Sequence, residues 1–255
     1  MTDYAYERRI VCFIDILAFS NRIKQTAKKI EAAEQLLSST CEALYQLDAY
    51  RAVMEKQSGI KGIQITQFSD SIVISFPWQL DNGDLYVAME ALRYIQVTML
   101  KLYGILLRGG VVIGDLIHTE KLLVGPAMIA AYEVESKCAF SPRIVLDPKV
   151  VYRFNIIKNS KLKPGMANEH IIHKDLDDTS YIDYFNIEKG ELFNDEERLE
   201  YFKQICKMIA DNVNSSDMSV RMKYLWVRNK LKGSIMFKLP EYKMVFKELV
   251  TDKRK

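Results

Sequence analysis

Cysteine is scarce in this chain: four residues in 255, at positions 12, 41, 138 and 206, none near another. That spacing excludes a disulfide framework and a cysteine-ligated zinc site, and it suits buried thiols in a reducing compartment. Histidine is scarcer still, with three residues, and the "HIIH" at 170–173 sends its two ends to opposite faces if it is a strand. Six prolines and eleven glycines are too few for long disordered or collagen-like segments. No apolar run approaches the roughly 20 residues that span a bilayer. No basic, apolar, small-residue pattern at the start resembles a signal peptide, so a cytoplasmic protein is expected by elimination. A net charge of +3 is too small to imply a polyanion partner, and no nucleic acid is expected. A Walker-type phosphate loop is missing too, which excludes a P-loop enzyme.

What is present is ordinary core material: 49% apolar and 27% charged residues, enough for one large domain or a domain with an extension. Arg9 to Ile16 reads as a short buried strand, and 21–56 as one long helix. "GIQITQFSDSIVISFP" reads as a hairpin with "FSD" at its turn. Asp84 to Tyr103 is a second helix stopped by Gly104. "ILLRGGVVIGDLIHTEKLLVG" supplies another strand pair, "GPAMIAAYEVESKCA" a short helix with Pro126 near its start, and "PRIVLDP" a further strand. An irregular insert is expected over 158–170, then two strands. From Asp195 onward, charged helices follow at 196–212, 217–232 and 240–249. This order predicts an α+β fold with helices on one face of a sheet, with a domain over 1–190 and a C-terminal helical extension over 191–255 that packs on it or on a dimer partner.

Two acids stand out. Asp15 ends the first strand and Asp70 sits in the hairpin turn, both in apolar surroundings. Each alone suits a helix cap or a turn acid. Two carboxylates converging at strand ends suit a divalent cation, because hard oxygens of that kind bind Mg²⁺ or Mn²⁺ together with substrate phosphates. After Asp15 the chain enters a helix through Ile16, Leu17, Ala18, Phe19 and Ser20, and free amides at a helix start attract phosphate. Arg108, beside two glycines that admit a close neighbour, is either a phosphate-holding group or a surface ion pair.

Taken together, "FIDILAFS", "FSDSIVISF", "RGGVVIG" and "VGPAMIAAYEVESKCAFSPRIVLDP" resemble, in order and over about Arg9 to Pro148, the class III nucleotidyl cyclase family. Within it the look is that of bacterial pyrimidine cyclases of the Pycsar anti-phage system. The resemblance implies a ferredoxin-like βαββαβ sheet and a head-to-tail homodimer. It also implies two Mn²⁺ or Mg²⁺ ions held by Asp15, Asp70 and the Ile16 carbonyl. The triphosphate would be held by Arg108 and the backbone of Leu17 to Ser20. It implies as well a cyclic nucleotide, cyclic UMP or cyclic CMP, passed to a separate effector in anti-phage defence. The departures matter equally. Where purine cyclases read the base with a lysine and an aspartate, this chain has Thr66 and Leu122. Where they place a transition-state asparagine and arginine, it has Ile129 and Glu133. Replacements are sought in Glu133 or Glu135, and in Arg143 or a C-terminal basic residue. The alternatives are a degenerate nucleotide sensor and a purine cyclase. No "GGDEF"-like acid run supports a diguanylate-cyclase relative.

Overall fold

Unbroken burial from Arg9 to Ile14 marks the first strand as an interior strand of the sheet. The computed structural model of the chain describes residues 4–27, 31–78, 84–159 and 171–251. Its strands are β1 (Glu7–Ile16), β2 (Gln64–Phe68), β3 (Ser71–Pro77), β4 (Leu107–His118), β5 (Leu123–Val124), β6 (Ile144–Leu146), β7 (Ile172–Lys174) and β8 (Ser180–Ile182). Its helices are α1 (Phe19–Thr26), α2 (Glu31–Ser58), α3 (Asp84–Tyr103), α4 (Pro126–Cys138), α5 (Pro148–Asn159), α6 (Asp195–Asn212), α7 (Met218–Gly233) and α8 (Pro240–Phe246). The main sheet runs β2-β3-β1-β4-β6-β8-β7, with β5 paired to β4. Its first four strands therefore stand in the order 2-3-1-4, antiparallel throughout, which is the expected βαββαβ arrangement. β6 adds parallel to β4.

β1 is bonded on both sides and buried on both faces. Val11 and Phe13 lie with Val73, Val112, Leu116, Ala127 and Ala131 in one cluster, so α4 covers that face. Ile10, Cys12 and Ile14, of opposite parity, are equally inaccessible. α4 thus packs on the Val11–Phe13 face of the sheet.

Two elements differ from the sequence expectation. The single helix over 21–56 is two helices, α1 ending at Thr26 and α2 beginning at Glu31. α5 has no counterpart among the expected elements. Its start is built by Asp147, whose carboxylate accepts from the Lys149 amide at 2.8 Å, with Pro148 at the first helical position where no N–H is needed. Residues 160–170 of the expected insert, and His170 of "HIIH", lie outside the described residues.

The chain divides into two compact units, Met1–Ile95 with Leu107–Ile182, and Gln96–Leu106 with Asp183–Lys255. The second is helical. Asn194 and Glu197 close a reciprocal capping box at the start of α6, and Asp217 caps α7. Buried Asp183 accepts from the Phe185 amide at 2.7 Å, and Asn186 accepts from the Ile235 amide at 2.8 Å, which pins the connection after α7. Phe202, Ile205 and Ile209 of α6 are buried at helical spacing, as their periodicity predicts. No helix among the described residues is long and apolar enough to cross a membrane.

Candidate active site

The register of β1 brings the singled-out groups to one end of the sheet. Asp15 stands opposite Ser71 of β3 on one side and opposite Arg108 of β4 on the other. The Ile16 amide donates to the Asp70 carbonyl at 2.9 Å, so the hairpin turn carrying Asp70 is fastened to the end of β1. Asp15, Ile16, Asp70 and Arg108 are therefore neighbours. Leu17 to Ser20 follow directly, and the N–H groups of the first turn of α1 have no intrahelical acceptor. Two non-glycine residues frame this corner in left-handed backbone, Ala18 at φ 61° and Ser69 at φ 57°.

Arg108 donates from Nε to Asp15 Oδ2 at 2.7 Å, and the same nitrogen lies 2.8 Å from Glu135 Oε1. One guanidinium thus sits between two carboxylates from different elements. Glu135 is 3% exposed, and its Oε1 has the charge contact with Arg108 but no aligned hydrogen bond. Burial pushes the Glu135 carboxyl above the usual carboxylate range; Arg108 opposes that shift and the Asp15 charge adds to it. The glycines after Arg108 admit what had to come close. A Cβ on Gly110 would stand 2.6 Å from the Ala131 carbonyl and 2.7 Å from the Glu135 amide, so the α4 backbone rests on this residue. Gly109 does the same for β1, where a Cβ would meet the Phe13 carbonyl at 2.6 Å.

Other expected residues lie elsewhere. Ile129 and Glu133 are on the outward face of α4, Ile129 65% exposed and Glu133 paired with Lys137 at 2.9 Å. Between the two glutamates considered, the structure brings Glu135 to Arg108 and leaves Glu133 in solvent. Helical spacing carries the signal: Ala127, Ala131 and Glu135 recur every four residues on the buried face. Leu122 is in the turn after β4, its carbonyl accepting from the Thr119 amide at 2.8 Å. Arg143 is buried and paired with Asp175 and Asp177.

Thr66, half-buried, opens a polar chain that runs into the core and that the sequence did not reveal. His118, the last residue of β4, lies 2.8 Å from Thr66 Oγ1 through Nε2 and 2.8 Å from Ser75 Oγ through Nδ1. Arg9 donates from Nε to the same Ser75 oxygen at 2.8 Å. Burial first, and the Arg9 charge second, lower the His118 pKa to about 4, so the imidazole is neutral at pH 7.

Among the described residues no group of three or more His, Cys, Asp or Glu is placed to hold a metal ion. Asp15 and Asp70, one carboxylate oxygen of Asp15 being taken by Arg108, fit the leaner donor set of Mg²⁺, which binds through one or two carboxylates and leaves the rest to water and phosphate.

No family model and no curated protein matches the sequence. Solved structures resemble it. One is the monomeric guanylyl cyclase domain of the RhoGC fusion protein from the aquatic fungus Blastocladiella emersonii, with TM-score 0.47 and 16% identity over 69% of this chain and 94% of that one. Another is an adenylate/guanylate cyclase/hydrolase from Silicibacter pomeroyi, with TM-score 0.42 and 16% identity over 70% and 96%. A third is a class III adenylyl cyclase-like ATP-binding protein from Pseudomonas aeruginosa, with TM-score 0.43 and 11% identity over 98% of this chain and 46% of that one.

Proposed function

We propose that this chain is a nucleotidyl cyclase that converts a pyrimidine nucleoside triphosphate, UTP or CTP, to its 3′,5′-cyclic monophosphate and pyrophosphate. The observation that carries the reading is the corner at the end of β1. There Asp15 pairs with Arg108 at 2.7 Å, and Asp70 is held one peptide hydrogen bond away at 2.9 Å.

Asp15, Asp70 and the Ile16 carbonyl are the groups that would hold two Mg²⁺ or Mn²⁺ ions. When bound, such ions neutralise the triphosphate and acidify the ribose 3′-hydroxyl. The 3′-oxygen attacks the α-phosphorus, the bond to the β-phosphate oxygen breaks, and the hydroxyl proton leaves to water. Arg108 and the first-turn amides of α1 bind the phosphates and take up the charge that grows on pyrophosphate. Glu135, in charge contact with the same guanidinium nitrogen as Asp15, helps keep the guanidinium in place. The pyrimidine preference rests on the sequence resemblance and on Thr66, a short hydroxyl backed by neutral His118, standing where purine cyclases carry a lysine.

A head-to-tail homodimer completes the site. Supporting it, apolar side chains are exposed on the outward side of α4 and β5: Ile129, Tyr132 and Val124 are 65%, 51% and 45% accessible. A groove of about 460 Å³ runs beside it between Tyr6, Leu123 and Ile129. The cyclic product passing to a separate effector in anti-phage defence follows from the sequence resemblance.

The test is incubation with each of the four nucleoside triphosphates and Mn²⁺, with products separated by mass. Cyclic UMP or cyclic CMP is expected, and Asp70→Ala lowers its formation by roughly a hundredfold or more. Cyclic AMP or cyclic GMP alone would overturn the base assignment and leave the cyclase. A second reading, a nucleotide sensor without turnover, is favoured by the exposed Ile129 and Glu133 at the transition-state positions. Triphosphate binding with no cyclic product from any base would establish that reading instead.

A further inference from the structure

β1 serves two ends of the sheet. Arg8 lies seven residues before Asp15, which turns its side chain to the other face and sets it about 24 Å away along an extended strand. A cavity of about 490 Å³ opens there, lined by Arg8, Trp78, Ile113, Lys149, Tyr152 and Arg153. Each wall has a local cause. Trp78 follows β3 and is fixed by its amide, which donates to the Arg8 carbonyl at 3.1 Å. Ile113 pairs with Ile10 on the face that Arg8 shares. Lys149, Tyr152 and Arg153 stand at i, i+3 and i+4 on α5, so they share one side of it. Val150 and Phe154, on the other side of α5, are buried.

Three cations and two aromatic rings converge here. Among the described residues an acid at this end of the sheet, Asp115, pairs with Arg8 at 3.4 Å, with both side chains at least half exposed. An exposed pair of that kind is weak, and a phosphate displaces it readily. A solvated basic helix face would account for Lys149 and Arg153. It would not account for Trp78 and Tyr152 walling the same space, nor for Arg8 entering it from the sheet. The volume falls in the range of roughly 300–1,000 Å³ typical of small-molecule sites.

We propose that this cavity is a second nucleotide-binding site, separate from the corner at Asp15. The base lies against Trp78 and Tyr152, where any base offers a π-face. The phosphate is met by Arg8, Lys149 and Arg153, the guanidinium groups presenting paired donors. The proposal is independent of the cyclase reading, and neither one's failure removes the other.

Calorimetric titration of the full chain in EDTA with UMP, CMP, AMP, GMP and inorganic phosphate tests it. At least one monophosphate is expected to bind about tenfold more tightly than inorganic phosphate. The exposed double reversal Lys149→Glu with Arg153→Glu weakens that binding by about tenfold or more, whereas Asp15→Asn leaves it unchanged. As a readout without charge reversal, Trp226→Phe leaves Trp78 as the chain's single tryptophan, and its fluorescence is expected to change on nucleotide addition. The proposal is overturned by silence from all four monophosphates, by binding that survives the double reversal, or by an unresponsive Trp78. Inorganic phosphate binding as tightly as the nucleotides also removes it.

Discussion

Ala18 occupies left-handed backbone between β1 and α1, at φ 61° and ψ 18°, where a Cβ meets the following carbonyl. The family resembled by the sequence carries glycine there, and the change looks small until the backbone is seen. Ala18→Gly removes the steric cost at the expense of a more flexible unfolded chain. It is expected to stabilise the protein by about 0.5–1 kcal/mol. In a chain of this size that raises Tm by roughly 1–4 °C in calorimetry, and a lowered Tm would refute the left-handed turn. His118 gives a second residue-scale expectation. Its pKa is about 4 in the fold against 6.5 when unfolded. Stability present above pH 6.5 is therefore lost as pH falls toward 4, because the unfolded chain takes up a proton that the folded one refuses. The loss is on the order of 3 kcal/mol. Urea unfolding at pH 7 and pH 4.5 should show it in the parent chain and a markedly smaller share in His118→Gln.

α4 is the element on which the corner at Asp15 depends. Its backbone touches Gly110 so closely that Gly110→Ala must lift the helix, and with it Glu135, away from Arg108. A loss of about 2–3 kcal/mol in urea unfolding is expected, with a lower cyclic product yield. An unchanged midpoint would show that α4 yields at no cost. How α4 seats itself also marks what the sequence could and could not convey. The strand end at Asp15, the hairpin turn at Asp70 and the arginine of β4 were legible because strand periodicity and turn residues are local signals. Which glutamate of α4 faces inward was not, since it depends on a helix settling onto a glycine from another element, although the Ala127–Ala131 spacing held the clue. α5 was missed despite an Asp-Pro start, because its apolar stripe is short. The break between α1 and α2 was hidden by apolar periodicity continuing across it. The Thr66–His118–Ser75–Arg9 chain joins residues up to 109 positions apart in sequence, and no local pattern encodes such a meeting.

At the scale of the molecule, the apolar side chains exposed on α4 and β5 set an expectation for assembly. Ile129→Lys places a charge on a residue that is 65% exposed, so the fold should keep its Tm. If that side is the dimer contact, light scattering will show a shift to monomer, and turnover in dilute protein will fall by about tenfold or more. Parent-like turnover at the same dilution would remove this surface from the site. The position of β1 has another consequence. From Arg9 to Asp15 every residue of β1 faces a register partner in β3 and another in β4, and from Arg9 to Ile14 both side-chain faces are covered. Fraying cannot reach such a strand. Its amides exchange with solvent only when the whole sheet opens, so Asp15 has no private route out of register. The acid at the centre of the proposed chemistry is as durable as the fold itself, and what motion the site has belongs to the groups brought to it.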